Sequence, residues 1–301
     1  MEAPRHRPVL LKETVSLLAP RGRRRLLDAT CGLGGHAETL LEAAGDDAQL
    51  IAIDLDEANL RQARQRLERF GKRVRLFQAD HGLLPDVLAE AGWADAELIL
   101  ADLGISSNQL DDPQRGLGFA ADGPLDMRLD AAGEGPTAAE VVNRLDADTL
   151  ADLIYGYGDE RYSRRIARAI VEARKSEPIT RTAQLAEIVR RAYPAPARRS
   201  RRGVDPATRT FQALRIHVND LLGALQRLLS NLPKCLAVGG RAGVISFHSL
   251  EDRPVKQAFR QWAETGNAEV VTPKPVTPGQ DEQAENPRSR SAKLRVIQRI
   301  G

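Results

Sequence analysis

Short apolar runs alternate with amphipathic segments over the first third of the chain. The runs, each predicted to form a strand, are 23–30, 49–56, 73–80 and 97–102. The segments predicted to be helical are 9–18, 36–44, 57–70 and 83–91. Near-continuous apolar runs are typical of strands that are buried on both faces of a parallel sheet. Strands that alternate with helices at this spacing predict an α/β fold with a doubly wound parallel sheet.

The alternation stops near residue 112 and resumes after residue 207. The intervening segment opens with a glycine-rich loop and continues with helical patterns at 145–155, 160–175 and 182–193. Thr137 and Glu140 match a capping box at a further helix start. After it the pattern predicts a helix at 210–232, a strand at 241–248, a helix at 250–265, a strand at 268–273, a polar loop at 275–290 and a last strand at 293–300. We therefore predict an all-helical insertion, 113–207, in a discontinuous domain formed by 1–112 and 208–301.

Composition narrows the class of protein. Hydrophobic residues make up 42% of the 301 residues and charged residues 28%, as in ordinary globular proteins. The net charge of +3 fits a polyanionic partner. Cys31 and Cys235 lie far apart and form neither a metal-binding spacing nor a disulfide framework, which predicts a reducing cytoplasm and no metal site. No apolar run is long enough to span a bilayer, so no membrane partner is expected.

A glycine-rich turn joins the first strand to the next helix. Gly32, Gly34 and Gly35 allow the backbone to turn tightly and to approach a ligand closely. Asp54 ends the second strand about 20 residues later, where dinucleotide-binding folds place a ribose-binding acid. Asp28 ends the first strand beside it. The alternatives are a turn that serves packing alone, and an Asp28 that caps the following helix.

Two more strand ends carry polar residues. Asp102 closes the fourth strand at the edge where such sheets bind ligands, and polar residues follow at 106–109. The alternative for 106–109 is an Asx-type turn with capping serines. His81 follows the third strand, where an adenine would lie, and its alternative is a solvated histidine of a surface loop.

At these residues the chain resembles the RsmH (MraW) family of S-adenosylmethionine-dependent ribosomal RNA methyltransferases. The resemblance spans nearly the whole chain, and its specific segments occur in the same order. These segments are 6–11 (HRPVLL), 32–36 (GLGGH), 102–111 (DLGISSNQLD), 122–128 (DGPLDMR), 246–253 (SFHSLEDR) and 286–293 (NPRSRSAK).

The resemblance implies a fold, a cofactor and a substrate. The fold is a class I methyltransferase (Rossmann-like) sheet, mostly parallel with an antiparallel last strand. The activity is methylation of the exocyclic N4 of one cytidine in the decoding region of 16S ribosomal RNA, within the small subunit. The implied contacts of S-adenosylmethionine are Gly34, Gly35, His36, Asp54, Asp102, Gln109 and the residue that matches His81, with histidine here where relatives often carry phenylalanine. A homodimer is left open.

The chemistry expected of this site centres on the nucleophile. The cytosine amine is amide-like, so an acceptor that binds its N–H groups favours a more tetrahedral nitrogen as the new bond forms. We expect Asp102 or a neighbouring backbone carbonyl to supply that acceptor. Many amino-methyltransferases carry a stacking aromatic residue at this strand end, where this chain has Leu103-Gly104-Ile105. Phe119 or His248 is the candidate replacement.

Further polar groups are assigned to the substrate. Ser106 and Ser107 are expected to contact it, and His248 with Ser249 to line the pocket of the target base. The alternative for 249–252 is a capping box at the start of the next helix. Arginines cluster near the end of the insertion, where guanidinium groups suit bidentate contacts to RNA phosphates. The cluster consists of Arg190, Arg191, Arg198, Arg199, Arg201 and Arg202, and the alternative is a solvated helix end.

Two other functions compete with this interpretation. An NAD-dependent oxidoreductase shares the turn pattern, but no Tyr-x-x-x-Lys pair or comparable hydride-handling set follows the fourth strand. A non-catalytic RNA-binding or assembly factor on a retained methyltransferase fold is the second alternative. The intact Asp54, Asp102 and Gly34-Gly35 favour an active enzyme over it.

Overall fold

The structure, a computed structural model, describes residues 8–194 and 205–301. It divides into two compact units. The first unit contains 8–104 and 222–301, and the second contains the described part of 105–221. The sequence placed the boundaries at 112/113 and 207/208 instead. The segments 105–112 and 208–221 group with the helices because Leu110, Phe211 and Leu214 pack into the core of the second unit.

The first unit combines a seven-stranded sheet with helices. Its strands are β1 (Arg25–Asp28), β2 (Gln49–Asp54), β3 (Val74–Gln78), β4 (Ala96–Asp102), β5 (Leu236–Ser246), β6 (Ala268–Val270) and β7 (Lys293–Arg299). Its helices are α1 (Leu11–Leu18), α2 (Gly35–Ala44), α3 (Glu57–Leu67), α4 (Leu84–Glu90), α11 (Leu221–Cys235), α12 (Ser249–Glu264) and α13 (Gln280–Glu285). Short 3-10 segments occur at Glu68–Arg73, His81–Leu83 and Pro287–Ser291.

The strand order is β3-β2-β1-β4-β5-β7-β6. The first five strands in this order run parallel, and β7 is antiparallel to both β5 and β6. The predicted doubly wound sheet, mostly parallel with an antiparallel last strand, is therefore confirmed. The order reverses between β1 and β4, which is where open α/β sheets bind ligands.

Both faces of the sheet are buried, which explains the near-continuous apolar runs. Along each strand successive side chains point to opposite faces. Leu27, Ile51 and Ile99 lie in one core with residues of α4, α11 and α12. Their neighbours Leu26 and Leu50 lie in the other core with residues of α1, α2 and α3.

Several predicted bounds in the last third were wrong. The strand predicted at 241–248 begins five residues earlier, at Leu236, and ends at Ser246. The loop predicted at 275–290 contains α13 and the 3-10 segment Pro287–Ser291. The strand predicted at 268–273 is only β6. The chain bends after Val270, and there the side chain of Thr272, through Oγ1, accepts the N–H of Val296 of β7.

The second unit contains helices and a short 3-10 segment, with no regular strand among its described residues. The helices are α5 (Ser107–Asp111), α6 (Ala138–Arg144), α7 (Ala147–Gly158), α8 (Ser163–Ala173), α9 (Thr182–Ala192) and α10 (Ala207–Val218), and the 3-10 segment is Pro113–Arg115. The predicted capping box of Thr137 and Glu140 is present at the start of α6. Helix α5 was not predicted as a helix.

The single helix predicted at 210–232 is two helices, α10 and α11. Asp220 adopts a left-handed conformation with a φ of 46°, which ends the α-helical path. The Asn219 side chain stabilises the break. Its Oδ1 accepts the N–H of Leu129 at 2.7 Å, and its Nδ2 donates to the carbonyl of Met127 at 2.9 Å.

Candidate active site

The glycine-rich turn lies between Asp28, the last residue of β1, and Gly35, the first residue of α2. Gly34 has a φ of 79°, a region that favours glycine, and its N–H donates to the carbonyl of Cys31 at 2.8 Å. A Cβ on Gly35 would clash with the side chain of Pro8. Packing alone thus requires glycine at Gly35, so the packing alternative holds for that position.

Asp54 ties this turn to the end of β2. Its Oδ2 accepts the N–H of Gly32 at 2.7 Å, and its Oδ1 accepts the N–H of Asp56 at 2.8 Å. Asn59 of α3 lies 3.4 Å from both oxygens. Burial raises the pKa of Asp54 to about 6, although these hydrogen bonds favour the carboxylate. The turn and the acid expected to bind ribose therefore form one hydrogen-bonded unit.

Asp28 is almost completely enclosed, with 1% of its surface exposed. Its Oδ1 accepts the N–H of Thr30 at 3.1 Å, and its Oδ2 has no hydrogen-bond partner among the described residues. Burial raises the pKa of Asp28 to about 7, while the N–H groups of Thr30 and Ala37 lower it and the charge of Asp54 raises it. The N-cap position of α2 is held by Gly34 and not by Asp28.

Asp102 ends β4 beside the same turn. Its N–H donates to Oγ1 of Thr30 at 2.6 Å. Its Oδ2 lies 3.5 Å from Nδ1 of His36, and its Oδ1 is buried without a partner among the described residues. Burial raises the pKa of Asp102 to about 8, and the charges of Asp28 and Glu251 act in the same direction. Burial therefore favours the protonated form of this carboxyl in the protein alone.

His36, in the first turn of α2, lies beside this carboxyl. Its Nε2 lies 2.9 Å from the carbonyl oxygen of Val9. A carbonyl only accepts, so Nε2 donates to it, and Nδ1 lies beside the Asp102 carboxyl.

His248 lies at the end of β5, as the N-cap of α12. Its Nε2 is 3.0 Å from Oε1 of Glu251, and its Nδ1 is buried without a partner in the described part of the chain. Oε2 of Glu251 accepts the N–H of Phe247 at 2.8 Å. Glu251 thus fixes both the ring and the strand end. The capping box that was the alternative for 249–252 is absent, because His248, with extended backbone, is the N-cap and Ser249 is the first residue of the helix.

His81 opens the 3-10 turn that follows β3. Its Nε2 is buried and has no hydrogen-bond partner among the described residues. Burial lowers the pKa of the ring, opposed by the charge of Asp80 and assisted by that of Arg227. The solvated surface histidine that was the alternative is therefore not what the structure shows.

In the second unit, the polar residues after β4 serve a helix start. Ser106 is the N-cap of α5, and its N–H and hydroxyl both lie within hydrogen-bond distance of Oε1 of Gln109, at 3.0 and 2.8 Å. Ser107 is the first residue of that helix. The capping alternative therefore describes the local structure, and the contacts expected of Ser106, Ser107 and Gln109 with ligands stay predictions.

Phe119 packs inside the second unit. Its ring centroid lies 4.7 Å from that of Phe211, and the guanidinium of Arg190 lies over its ring at 5.8 Å. This packing gives Phe119 a structural role, and its expected contact with the substrate base stays a prediction.

The arginine cluster is described only in part. Arg190 pairs with Asp205 at 3.1 Å and Arg191 pairs with Glu187 at 2.7 Å. Both guanidinium groups thus have a carboxylate partner within the second unit. Arg198, Arg199, Arg201 and Arg202 lie outside the described residues.

Sequence reasoning missed three residues that build the site: Thr30, Asn59 and Glu251. Glu251 had a local signal, since it lies three residues after His248, a spacing that brings side chains together on a helix. Thr30 had none, because its partner Asp102 is distant in sequence. Asn59 belongs to α3, and the sequence pattern assigns a polar residue of such a helix to its exposed face.

The sequence model of the MraW methylase family matches residues 3–300. This chain belongs to the MraW methylase family. Such a match, over nearly the full length, includes both units. S-adenosylmethionine is the cofactor of this methylase family.

Two relatives match this chain over nearly the full length of both proteins. The protein from Solidesulfovibrio magneticus named ribosomal RNA small subunit methyltransferase H is 48% identical over 99% of this chain and 96% of its own. The protein of the same name from Sorangium cellulosum is 50% identical over 98% of this chain and 91% of its own. Among solved structures, a putative rRNA methylase from Clostridium thermocellum aligns with a TM-score of 0.45 and 11% identity over 99% of this chain and 100% of its own.

The hydrogen-bond acceptors of this MraW-family site fit S-adenosylmethionine. That molecule carries hydroxyl and amino donors and a positive sulfonium. The edge of the sheet offers Oδ2 of Asp28 and Oδ1 of Asp102 as buried acceptors without partners among the described residues. Carboxylates also favour a cation in a site of low dielectric constant. Among the described residues, no helix is both long and apolar enough to cross a membrane.

Proposed function

We propose that this methylase transfers a methyl group from S-adenosylmethionine to N4 of one cytidine in the decoding region of 16S ribosomal RNA. The observation that carries the proposal is Asp102, a strand-end carboxyl with a raised pKa and a buried acceptor oxygen. The relatives named as methyltransferases of the small-subunit ribosomal RNA support the substrate class.

The cofactor's own contribution is a sulfonium-bound electrophilic methyl group. The chain's contribution begins with holding that molecule. Under this proposal Asp54 accepts the ribose hydroxyls, the turn at Gly34, Gly35 and His36 supports the amino-acid part, and His81 lies against the adenine. Asp28 remains behind the turn as a second buried acceptor. Orientation of the methyl group in line with the attacking nitrogen supplies a large share of the acceleration.

Asp102 acts on the attacking amine. When the positive cofactor lies nearby, the ionised form of Asp102 is favoured, so its proton leaves before the chemistry begins. The carboxylate, whose side chain is 23% exposed, then accepts an N–H of the cytosine amine and draws that nitrogen towards a tetrahedral geometry as the bond forms. After transfer, the carboxylate takes the surplus proton, as a general base within hydrogen-bond reach does.

His248 is proposed to position the base. Glu251 holds its Nε2, which leaves the buried Nδ1 available for a polar group of the cytosine. The ring face replaces the aromatic side chain that many amino-methyltransferases carry at the fourth strand. Here Glu251 is a positioning residue, since it acts through His248.

The test is tritiated methyl transfer to small ribosomal subunits from a strain that lacks the enzyme. The expected product, after digestion to nucleosides, is N4-methylcytidine from the decoding region. A label on any other atom or nucleoside would contradict the proposal. Calorimetry with S-adenosylmethionine and with NAD separates it from the oxidoreductase alternative, since only the first ligand should bind.

We propose that the helical unit recognises RNA through Arg198, Arg199, Arg201 and Arg202. Structured RNA is held largely through its phosphates, and arginine is suited to them. Alanine at all four positions is expected to weaken RNA binding and to leave cofactor binding intact. Equal RNA affinity of the variant and the wild type in matched salt would refute this role.

A further inference from the structure

Three cationic side chains lie along one face of α12. Arg253, Lys256 and Arg260 are spaced three and four residues apart, so they project within an arc of roughly 60° on a helix. All three side chains are exposed. Glu264, one turn further on, is the acidic residue that follows on the same face. The helix begins next to His248, so this face, the α12 cationic face, starts at the candidate site.

These three cations differ from the others near them. Arg295 and Lys293 of β7 both pair with Asp252, at 2.7 and 3.4 Å. Arg253, Lys256 and Arg260 form no ion pair or hydrogen bond within the described ranges 8–194 and 205–301. Positive charge on this face is thus not used for internal structure.

A groove of about 380 Å³ runs beside the α12 cationic face. Lys256 and Arg260 form its charged side, and Val270 and Pro273 contribute apolar surface. The paired Arg295 also borders it. A groove that offers cations on one side and apolar surface on the other matches a nucleotide, which has an anionic phosphate and an apolar ring face. Its volume lies in the lower part of the range for small-ligand sites.

We infer that the α12 cationic face and its groove bind the phosphate backbone of the RNA strand that carries the target cytidine. The inference rests on the proposed function and adds a backbone-binding surface on the first unit. Arg260 lies about 18 Å along the helix from His248. That length spans a few nucleotides on one side of a base placed at His248. The contacts are to phosphates, so they position the strand and do not read its sequence.

The test compares the triple variant Arg253→Ala, Lys256→Ala and Arg260→Ala with the wild type. The full-length protein is titrated with a fluorescent RNA fragment of the decoding region at several salt concentrations. We expect roughly tenfold weaker binding near 100 mM salt, and a salt dependence whose log–log slope is smaller by about 2, as for three lost phosphate contacts on a single strand. The affinity for S-adenosylmethionine should not change, which also shows that the variant is folded.

A matched control separates this surface from net charge. Arg61, Arg64 and Lys72 are exposed cations of the same unit that form no ion pair or hydrogen bond with other described residues. Replacing them with alanine removes the same charge and should change RNA affinity much less. Equal losses in the two variants, or no loss in the α12 variant, would overturn the inference while the proposed function stands. A wild type that neither binds nor methylates the RNA would overturn both.

Discussion

Asn143 of the second unit and the strand-end acids of the first unit use their polar atoms in opposite ways. In the second unit, Asn143 donates from Nδ2 to the carbonyls of Ala139 and Ile179, both at 2.8 Å, and its Oδ1 accepts the N–H of Ile179 at 3.0 Å. At the sheet edge of the first unit, Asp28 and Asp102 each keep a buried oxygen without a partner among the described residues. The Asn143 amide is satisfied by local backbone groups, whereas each of the two carboxyls leaves one acceptor without such a partner.

The carboxyl pKa values show the same contrast. Burial raises those of Asp28, Asp54 and Asp102 to about 7, 6 and 8. In the second unit three acids, Asp122, Glu140 and Asp146, have lowered pKa values, because a donor holds each one. The donors are the Arg181 side chain for Asp122, the Thr137 N–H for Glu140 and the Thr149 N–H for Asp146. Perturbation towards the neutral form is typical of functional sites, whereas local pairing is typical of helix ends.

The largest effect should come from Asp102→Asn. The amide keeps the shape of the side chain but cannot accept the amine's proton, so methyl transfer should fall by about 10²–10⁴. Tritiated transfer to unmethylated small subunits measures this. Asp146→Asn, an isosteric change at the N-cap of α7, should leave transfer per folded molecule unchanged. If both variants lost activity equally, the contrast between the units would have no functional meaning.

Asn219→Ala should have the next largest effect, on stability and not on chemistry. The change leaves the half-buried N–H of Leu129 and the carbonyl of Met127 without their partner. We expect a loss of about 2–3 kcal/mol in the free energy of unfolding, measured by urea titration. A loss below 1 kcal/mol, roughly the value of one ordinary hydrogen bond, would show that the break between α10 and α11 does not depend on this side chain.

The smallest effect concerns pH. A carboxyl whose pKa is higher in the folded than in the unfolded chain binds more protons when folded, so stability falls as pH rises between the two values. For Asp102 that window runs from about 4, the unfolded value, to about 8, the folded value. Without cofactor, the protein should therefore become less stable as pH rises from 5 to 8.

The loss of unfolding free energy between pH 5 and 8 should be smaller in Asp102→Asn by at least about 1 kcal/mol. Thermal unfolding of the wild type and the variant across that pH range measures the difference. S-adenosylmethionine should oppose the trend, since a positive ligand favours the ionised carboxyl. A wild-type profile that rises with pH would contradict the raised pKa.

The sheet was predictable because each strand carries its own signal. Apolar runs such as 49–56 and 97–102 reflect burial on both faces, and an acid that ends such a run lies at the ligand edge whatever the rest of the chain does. Asp54 and Asp102 could be named for that reason. Helix bounds were less predictable. Asn219 and Asp220 end α10 through a left-handed residue and bonds to a remote loop, and the local pattern there still reads as helix.

The sequence by itself determined the strands, the turn and the acids at the strand ends, because apolar periodicity and glycine placement act over a few residues. Tertiary structure alone decided which oxygens of Asp28 and Asp102 keep no partner and that His36 lies beside Asp102. It also decided that Arg295 pairs with Asp252 while the cations of the α12 cationic face stay unpaired among the described residues. Those outcomes depend on distances between residues far apart in the chain. Burial, which sets the protonation of these acids, exists only once both faces of the sheet are covered.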